Sequence, residues 1–192
     1  KAGLMLYYDY NRDTQHRRLF AIDYRNPANP KLISDLSTRD RYNDIGSPVM
    51  KSLPNGRNVV RQADDDIYLS GTGASPDGDR PFLRKLNLAT LRSEELWRSG
   101  VEEYEAFVAL LSDDGTAFLT RKESVVDPPN IYLRKVCPAG QACTATASKQ
   151  VTDFKDPSPQ LRGIQKQLVK YKRADGVDLY FTLYAPPGYK PG

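Results

Sequence analysis

The chain has 192 residues, with 28 Lys and Arg against 24 Asp and Glu for a net charge of +4. That length fills one good-sized core, and a charge so mildly basic and so mixed in sign excludes a surface built for nucleic acid. No apolar run approaches the roughly 18 residues of a membrane span, while 12 Tyr, 14 Pro and 13 Gly favour strands joined by turns.

In chain order, residues 4–8 (LMLYY) read as a short strand, 9–15 as a polar turn, and 18–23 (RLFAID) as an alternating strand. Asn26-Pro27-Ala28-Asn29-Pro30 reads as a loop and residues 32–36 as the next strand, followed by a polar, charged stretch at 37–44. A second unit opens at Gly46-Ser47-Pro48. It has strands at 49–53 and 58–62 around the turn Pro54-Asn55-Gly56, and a short one at 67–69. The loop GTGASPDGDRP at 71–81, an alternating strand at 82–88 and a closing strand at 94–97 complete it. The third unit repeats the order: 107–111, the turn Asp113-Asp114-Gly115, 117–121, 131–136 and a closing strand at 150–152.

The repeat is also legible residue by residue. Leu83-Arg84-Lys85-Leu86 aligns with Leu133-Arg134-Lys135-Val136, Leu19-Phe20-Ala21-Ile22 is a weaker copy, and the turn glycines Gly56 and Gly115 correspond. Four short strands recurring every roughly 50–60 residues are the signature of a β-propeller, with a general antiparallel sandwich as the competing architecture. The expected fold class is all-β: a partial β-propeller of about three four-stranded antiparallel blades. No long amphipathic helix is expected; Leu161, Ile164 and Leu168 suit a single helical turn.

Few residues offer chemistry. Gly71-Thr72-Gly73-Ala74-Ser75 lacks the sixth-position Gly and the Lys-Ser/Thr of a phosphate loop, and reads as a surface loop. No Gly-x-Ser-x-Gly occurs. His16, the sole imidazole, falls in a polar hairpin loop and reads as solvated. Asp64-Asp65-Asp66 lacks calcium-loop spacing and reads as a hairpin tip. Residues 104–111 read as an inner strand. No catalytic, cofactor-binding or metal-ligating residue is assigned, and no cofactor. Cys137 and Cys143, in CPAGQAC, lie in an insertion at a hairpin end. They are read as a disulfide in preference to two free thiols, and a zinc site lacks ligands. A disulfide places the protein outside the cytoplasm: exported, periplasmic or extracellular.

The last stretch, VKYKRADGVDLYFTLYAPPGYKPG at 169–192, pairs two alternating runs across Asp175-Gly176 and stops at Pro186-Pro187-Gly188. Leu179, Phe181 and Leu183 share one face; Tyr180, Thr182 and Tyr184 share the other. The positions Tyr171, Asp175, Gly176, Leu183, Tyr184, Pro186, Pro187, Gly188 and Tyr189 resemble the hairpin through which a propeller hands over to an α/β-hydrolase domain in the prolyl oligopeptidase family of serine peptidases. Gly46-Ser47-Pro48-Val49-Met50, residues 71–78 with Pro81-Phe82-Leu83, and Thr120-Arg121-Lys122-Glu123-Ser124 resemble the glutamyl endopeptidase branch. The Cys137–Cys143 loop is a departure from that pattern.

The resemblance implies propeller blades over residues 1–160, then a linker and the first hairpin of a catalytic domain over 161–192. The parent would be a serine endopeptidase cleaving after Glu, its triad C-terminal to Gly192 and none of it in this chain. With Lys1 in place of an initiator Met, the chain reads as a piece of a longer polypeptide. Its implied partners are its own catalytic domain and peptide substrates, with no nucleic acid and no membrane span. The competing function is a stand-alone β-propeller module that binds a ligand or a protein.

Overall fold

The computed structural model describes residues 3–124, 126–136 and 147–190, and these fold almost wholly as antiparallel strands. The first sheet runs β1 (Leu4–Asn11), β2 (His16–Asp23), β3 (Asn26–Ser37) in chain order. Residues 26–30, expected as a loop, instead begin β3. The prolines are tolerated because β3 is an edge strand, where a missing N–H need not face a neighbour. The register slips at Phe20 and again near Asp23, the second slip falling at the prolines. His16 opens β2, opposite Asn11, and is not in a loop.

The second sheet is assembled from β4 (Ser47–Pro48), β5 (Met50–Ser52), β6 (Asn58–Val60), β7 (Gln62–Ala63) and β8 (Asp66–Gly71), with β5 and β6 forming a small ladder of their own. The stretch 71–81 is not all loop: β9 (Ala74–Ser75) and β10 (Gly78–Asp79) make a two-stranded arm. Gly73 at φ +63° and the Arg80 N–H bond to Gly73 O (2.9 Å) close its base. β11 (Phe82–Asn87) and β12 (Ser93–Arg98) complete the sheet in the order β12-β11-β8-β4. The third sheet, β13 (Tyr104–Leu110), β14 (Ala117–Glu123), β15 (Asn130–Lys135) and β16 (Ala147–Gln150), is a four-stranded meander. The three segments matched in sequence, at Leu19, Leu83 and Leu133, all lie on the next-to-last strand of their sheet.

The second sheet is buried on both faces. Ile67, Leu69 and Leu86 meet Leu4, Leu6 and Ile33 of the first sheet. Tyr68, Leu83 and Trp97 meet Leu110 and Phe118 of the third. Alternation along β8 thus feeds two cores at once, and each fully buried Ile, Leu or Phe side chain contributes about 1.5–3 kcal/mol. Trp97 and Phe118 contact ring to ring at 5.8 Å. Polar ties cross the same joints: the Tyr68 hydroxyl donates to Asp113 O (2.9 Å), Arg61 pairs with Asp113 (2.8 Å), and Lys31 Nζ donates to Leu88 O (2.7 Å). Gly115, at φ +78°, fits because a Cβ there would lie 2.4 Å from Tyr68 Cε1.

After the third sheet come a short 3₁₀ turn (Pro159–Leu161) and a separate hairpin, β17 (Gln165–Lys172) with β18 (Asp178–Ala185). Of the residues expected in a helical turn, only Leu161 is in the 3₁₀ segment. Leu168 is part of β17, where it pairs with Thr182.

Candidate functional site

The third sheet is pinned internally before it positions anything else. Glu105 on β13, 1% exposed, receives both arms of the Arg134 guanidinium from β15 (Nε to Oε1, 2.8 Å) and the Thr120 hydroxyl from β14. Its own N–H donates to Ser99 Oγ (3.1 Å). A carboxylate saturated by a bidentate cation and a hydroxyl cannot serve as a base, so this cluster is structural.

The chain leaves that sheet through a staple. Asn130, buried at the head of β15, accepts from Phe154 N (2.7 Å) and from the Thr152 hydroxyl (2.9 Å), and donates to Phe154 O (3.2 Å). Asp156 accepts from Ser158 N (2.8 Å) and Arg162 Nε (2.8 Å), bonds that hold its carboxyl below the ordinary carboxylate range. These contacts fix the direction in which the hairpin departs. Gly163 lets it pass Pro187, whose Cγ would lie 2.9 Å from a Cβ there.

In the hairpin the turn is wider than a two-residue Asp-Gly loop. Gly176 N–H bonds to Arg173 O (2.9 Å) and Arg173 N–H to Val177 O (2.9 Å), with Gly176 at φ +87°. Asp175 folds back on Arg173 (2.8 Å), which holds its carboxyl below the ordinary range. One face carries Val169, Tyr171, Leu179, Phe181 and Leu183; the other carries Lys166, Leu168, Lys170, Lys172, Tyr180, Thr182 and Tyr184. Neither face is covered: Phe181 is 48% exposed and Tyr180 70%.

Two cavities flank the β9–β10 arm, and Gly78 and Asp79 line both. A cavity of about 670 Å³ runs past Asp77, Glu102, Glu103, Glu123, Asp127 and Asp156, with Lys166 as the one cation among the described residues lining it. A groove of about 890 Å³ lies between the hairpin and the arm, lined by Lys170, Lys172 and Tyr180 on one side and Arg39, Arg41 and Tyr42 on the other. The ion pairs Arg41–Asp79 (3.3 Å) and Lys172–Asp178 (2.7 Å) lie within the groove. Sequence reading missed both cavities. The signal for the groove was present in β17, where Lys166, Lys170 and Lys172 recur at even spacing opposite Tyr180 and Tyr184.

Of the residues weighed for chemistry, none assembles into a catalytic set. His16 Nδ1 bonds to Asp35 Oδ1 (2.9 Å) with both groups about half exposed, and among the described residues no hydroxyl bonds to it. Asp64 forms the turn before β8 at φ 53°, and Asp66 accepts from Asn87 Nδ2 (2.7 Å). Among the described residues no group of three or more His, Cys, Asp or Glu could hold a metal ion, and no helix is long and apolar enough to cross a membrane. Cys137 and Cys143 lie outside the described residues.

No family model matches the chain. It is 36% identical over 204 residues to a probable glutamyl endopeptidase, chloroplastic, of Oryza sativa subsp. japonica, covering 98% of this chain and 21% of that protein. It is 34% identical over 204 residues to the protein of the same name in Arabidopsis thaliana, covering 98% of this chain and 20% of that protein. The chain therefore spans about a fifth of the length of the curated relatives it matches. Among solved structures it resembles a variant of the AtxE2 isopeptidase with Astexin3-dC4 bound, at TM-score 0.52 and 10% identity, covering 99% of this chain and 25% of that one. The AtxE2 isopeptidase without ligand matches at TM-score 0.50 and 10% identity over 98% of this chain and 25% of that one. At that identity the likeness concerns the fold alone.

Proposed function

We propose that this chain is the non-catalytic, substrate-gating part of a serine endopeptidase of the prolyl oligopeptidase family, on its Glu-specific branch. The three stacked sheets are blades of a β-propeller occupying residues 1–160. Residues 161–192 are the linker and the first hairpin of an α/β-hydrolase domain that follows Gly192 and carries the Ser, Asp and His. The blades limit which peptides reach that domain. The observation that carries this reading is the hairpin β17–β18, whose apolar face of Val169, Tyr171, Leu179, Phe181 and Leu183 leaves Tyr171, Phe181 and Leu183 exposed. Isolated two-stranded hairpins are marginal in water, so such a face calls for a further layer. Similarity to proteins named glutamyl endopeptidase over 98% of the chain supports the same assignment. A stand-alone binding module leaves that face without a purpose.

On this reading the chain alone turns over no Glu-containing peptide; measurable cleavage by purified chain contradicts it. The reading frame beyond Gly192 tests the assignment itself. Gly-x-Ser-x-Gly followed by Asp and then His is expected, and a stop codon or further blade sequence overturns it. The same reading places the protein outside the cytoplasm through a Cys137–Cys143 cross-link. Alkylation without reductant should leave both cysteines unmodified; two modified thiols remove that argument.

A further inference from the structure

We infer that the groove between the β17–β18 hairpin and the β9–β10 arm binds an extended, acidic peptide segment. Lys170 and Lys172 lie two residues apart on one face of β17, Lys170 directly opposite Tyr180. That spacing, about 6.6–7 Å along a strand, is also the spacing of alternate side chains in an extended ligand, so carboxylates at alternate positions reach both ammonium groups. Arg39 and Arg41 line the groove as well. Asp79 is taken up by Arg41 and Asp178 by Lys172. Among the described residues, Arg39 and Lys170 have no carboxylate in ion-pair range. The described residues lining the groove thus bring four cations against two anions, and Arg39 and Lys170 face it without an ion-pair partner among them.

The apolar content of the groove selects a peptide over a simple anion. Tyr42 is 68% exposed, Tyr180 70% and Leu168 54%, giving flat and aliphatic surface for side chains between the carboxylates. The adjoining acidic cavity, which shares Gly78 and Asp79 with the groove, argues against a long polyanion. A continuous phosphodiester backbone leaving the groove on that side would run into Asp77, Glu102 and Glu103. A short acidic run that ends or turns basic there meets complementary charge on both sides. This inference concerns binding only and does not need the catalytic reading to hold.

The test is fluorescence anisotropy with the 192-residue chain and three labelled decapeptides of alternating sequence: Glu-Thr, Lys-Thr and Ser-Thr repeats. The Glu-Thr peptide should bind about tenfold or more tighter than the other two, and the Lys170→Glu/Lys172→Glu variant should weaken it by about tenfold. Reversing Lys135 and Lys149 instead, on β15 and β16 of the third sheet and outside the groove lining, should leave the affinity within about twofold, since exposed charges that do not meet the peptide are screened. A milder Lys170→Gln variant, with melting unchanged, should weaken binding in the same direction. Equal binding of the three peptides overturns the inference. So does equal loss on reversing the distant lysines, or tighter binding of a ten-nucleotide oligothymidine than of the Glu-Thr peptide.

Discussion

The β8 strand of the second sheet and the β18 strand of the terminal hairpin are built alike and placed oppositely. Both alternate large apolar and aromatic residues: Ile67, Tyr68, Leu69 in one, Leu179, Tyr180, Phe181 in the other. In β8 every one of these is at most 1% exposed, because sheets pack against both faces. In β18 Tyr180 and Phe181 stand 70% and 48% exposed, because no sheet among the described residues lies against them. Period-two alternation therefore specifies a strand and its two faces, and the covering of those faces is decided by what stacks on them. The contrast separates a part of the chain whose strands are covered by neighbouring sheets from a part whose strands, among the described residues, are largely open to solvent.

Truncations sharpen that contrast most. Phe118→Ala, which empties a fully buried site between the second and third sheets, should cost about 3–5 kcal/mol in denaturant unfolding. Phe181→Ala in the hairpin should shift the same transition by under about 0.5 kcal/mol. Comparable losses would mean that the hairpin belongs to the same cooperative unit.

Next in size is the buried pair. Glu105→Ala strands the Arg134 guanidinium and should destabilise by about 3–5 kcal/mol, whereas Glu105→Leu with Arg134→Met should restore most of it. A double variant no better than the single one would show that the pair contributes more than mutual neutralisation.

A smaller effect carries a pH signature. Burial pushes the Tyr68 hydroxyl up to about 12 from its ordinary value of 10.0. The stability held by the neutral phenol is full below pH 10 and is lost as pH rises towards 12, where the folded form ionises too. Tyr68→Phe should cost about 1 kcal/mol at neutral pH, through the lost bond to Asp113 O, and should flatten that alkaline fall in melting temperature.

The smallest effect is at Asp114, held at about 2 by bonds first from Ser112 and then from Thr116. Its contribution is present above pH 4 and disappears as pH falls through 2. Asp114→Ala should weaken the turn only slightly at neutral pH, because the carboxylate is open to solvent, and should remove that acid dependence.

The two regions were not equally legible in the sequence. Strand β11 was legible through alternation, β15 through its match to β11, β13 as an apolar inner strand, and the hairpin through Asp175-Gly176 and Pro186-Pro187. The segment 26–30 was misread because two prolines ordinarily break a ladder; an edge position, which tolerates them, is a tertiary property. The β9–β10 arm was hidden because its ladder is only two residues long on each side. The burial of Glu105 and Arg134 had no local signal, since nothing in either segment shows that β13 and β15 flank the same buried Thr120. The groove was out of reach for the same reason: Arg39 and Arg41 meet Lys170 and Lys172 only after the second and third sheets, which separate them in the chain, have folded.

The most direct test of the proposal that the hairpin docks on a further domain is native-state amide hydrogen exchange, on the 192-residue chain and on the longer polypeptide that the proposal implies. Amides of β17 and β18 in the isolated chain should exchange at least about a hundredfold faster than those of β8 and β11, and should become protected in the full polypeptide. Equal protection of hairpin and sheets in the isolated chain, or no gain in the longer one, would contradict the claim that the hairpin awaits a further domain.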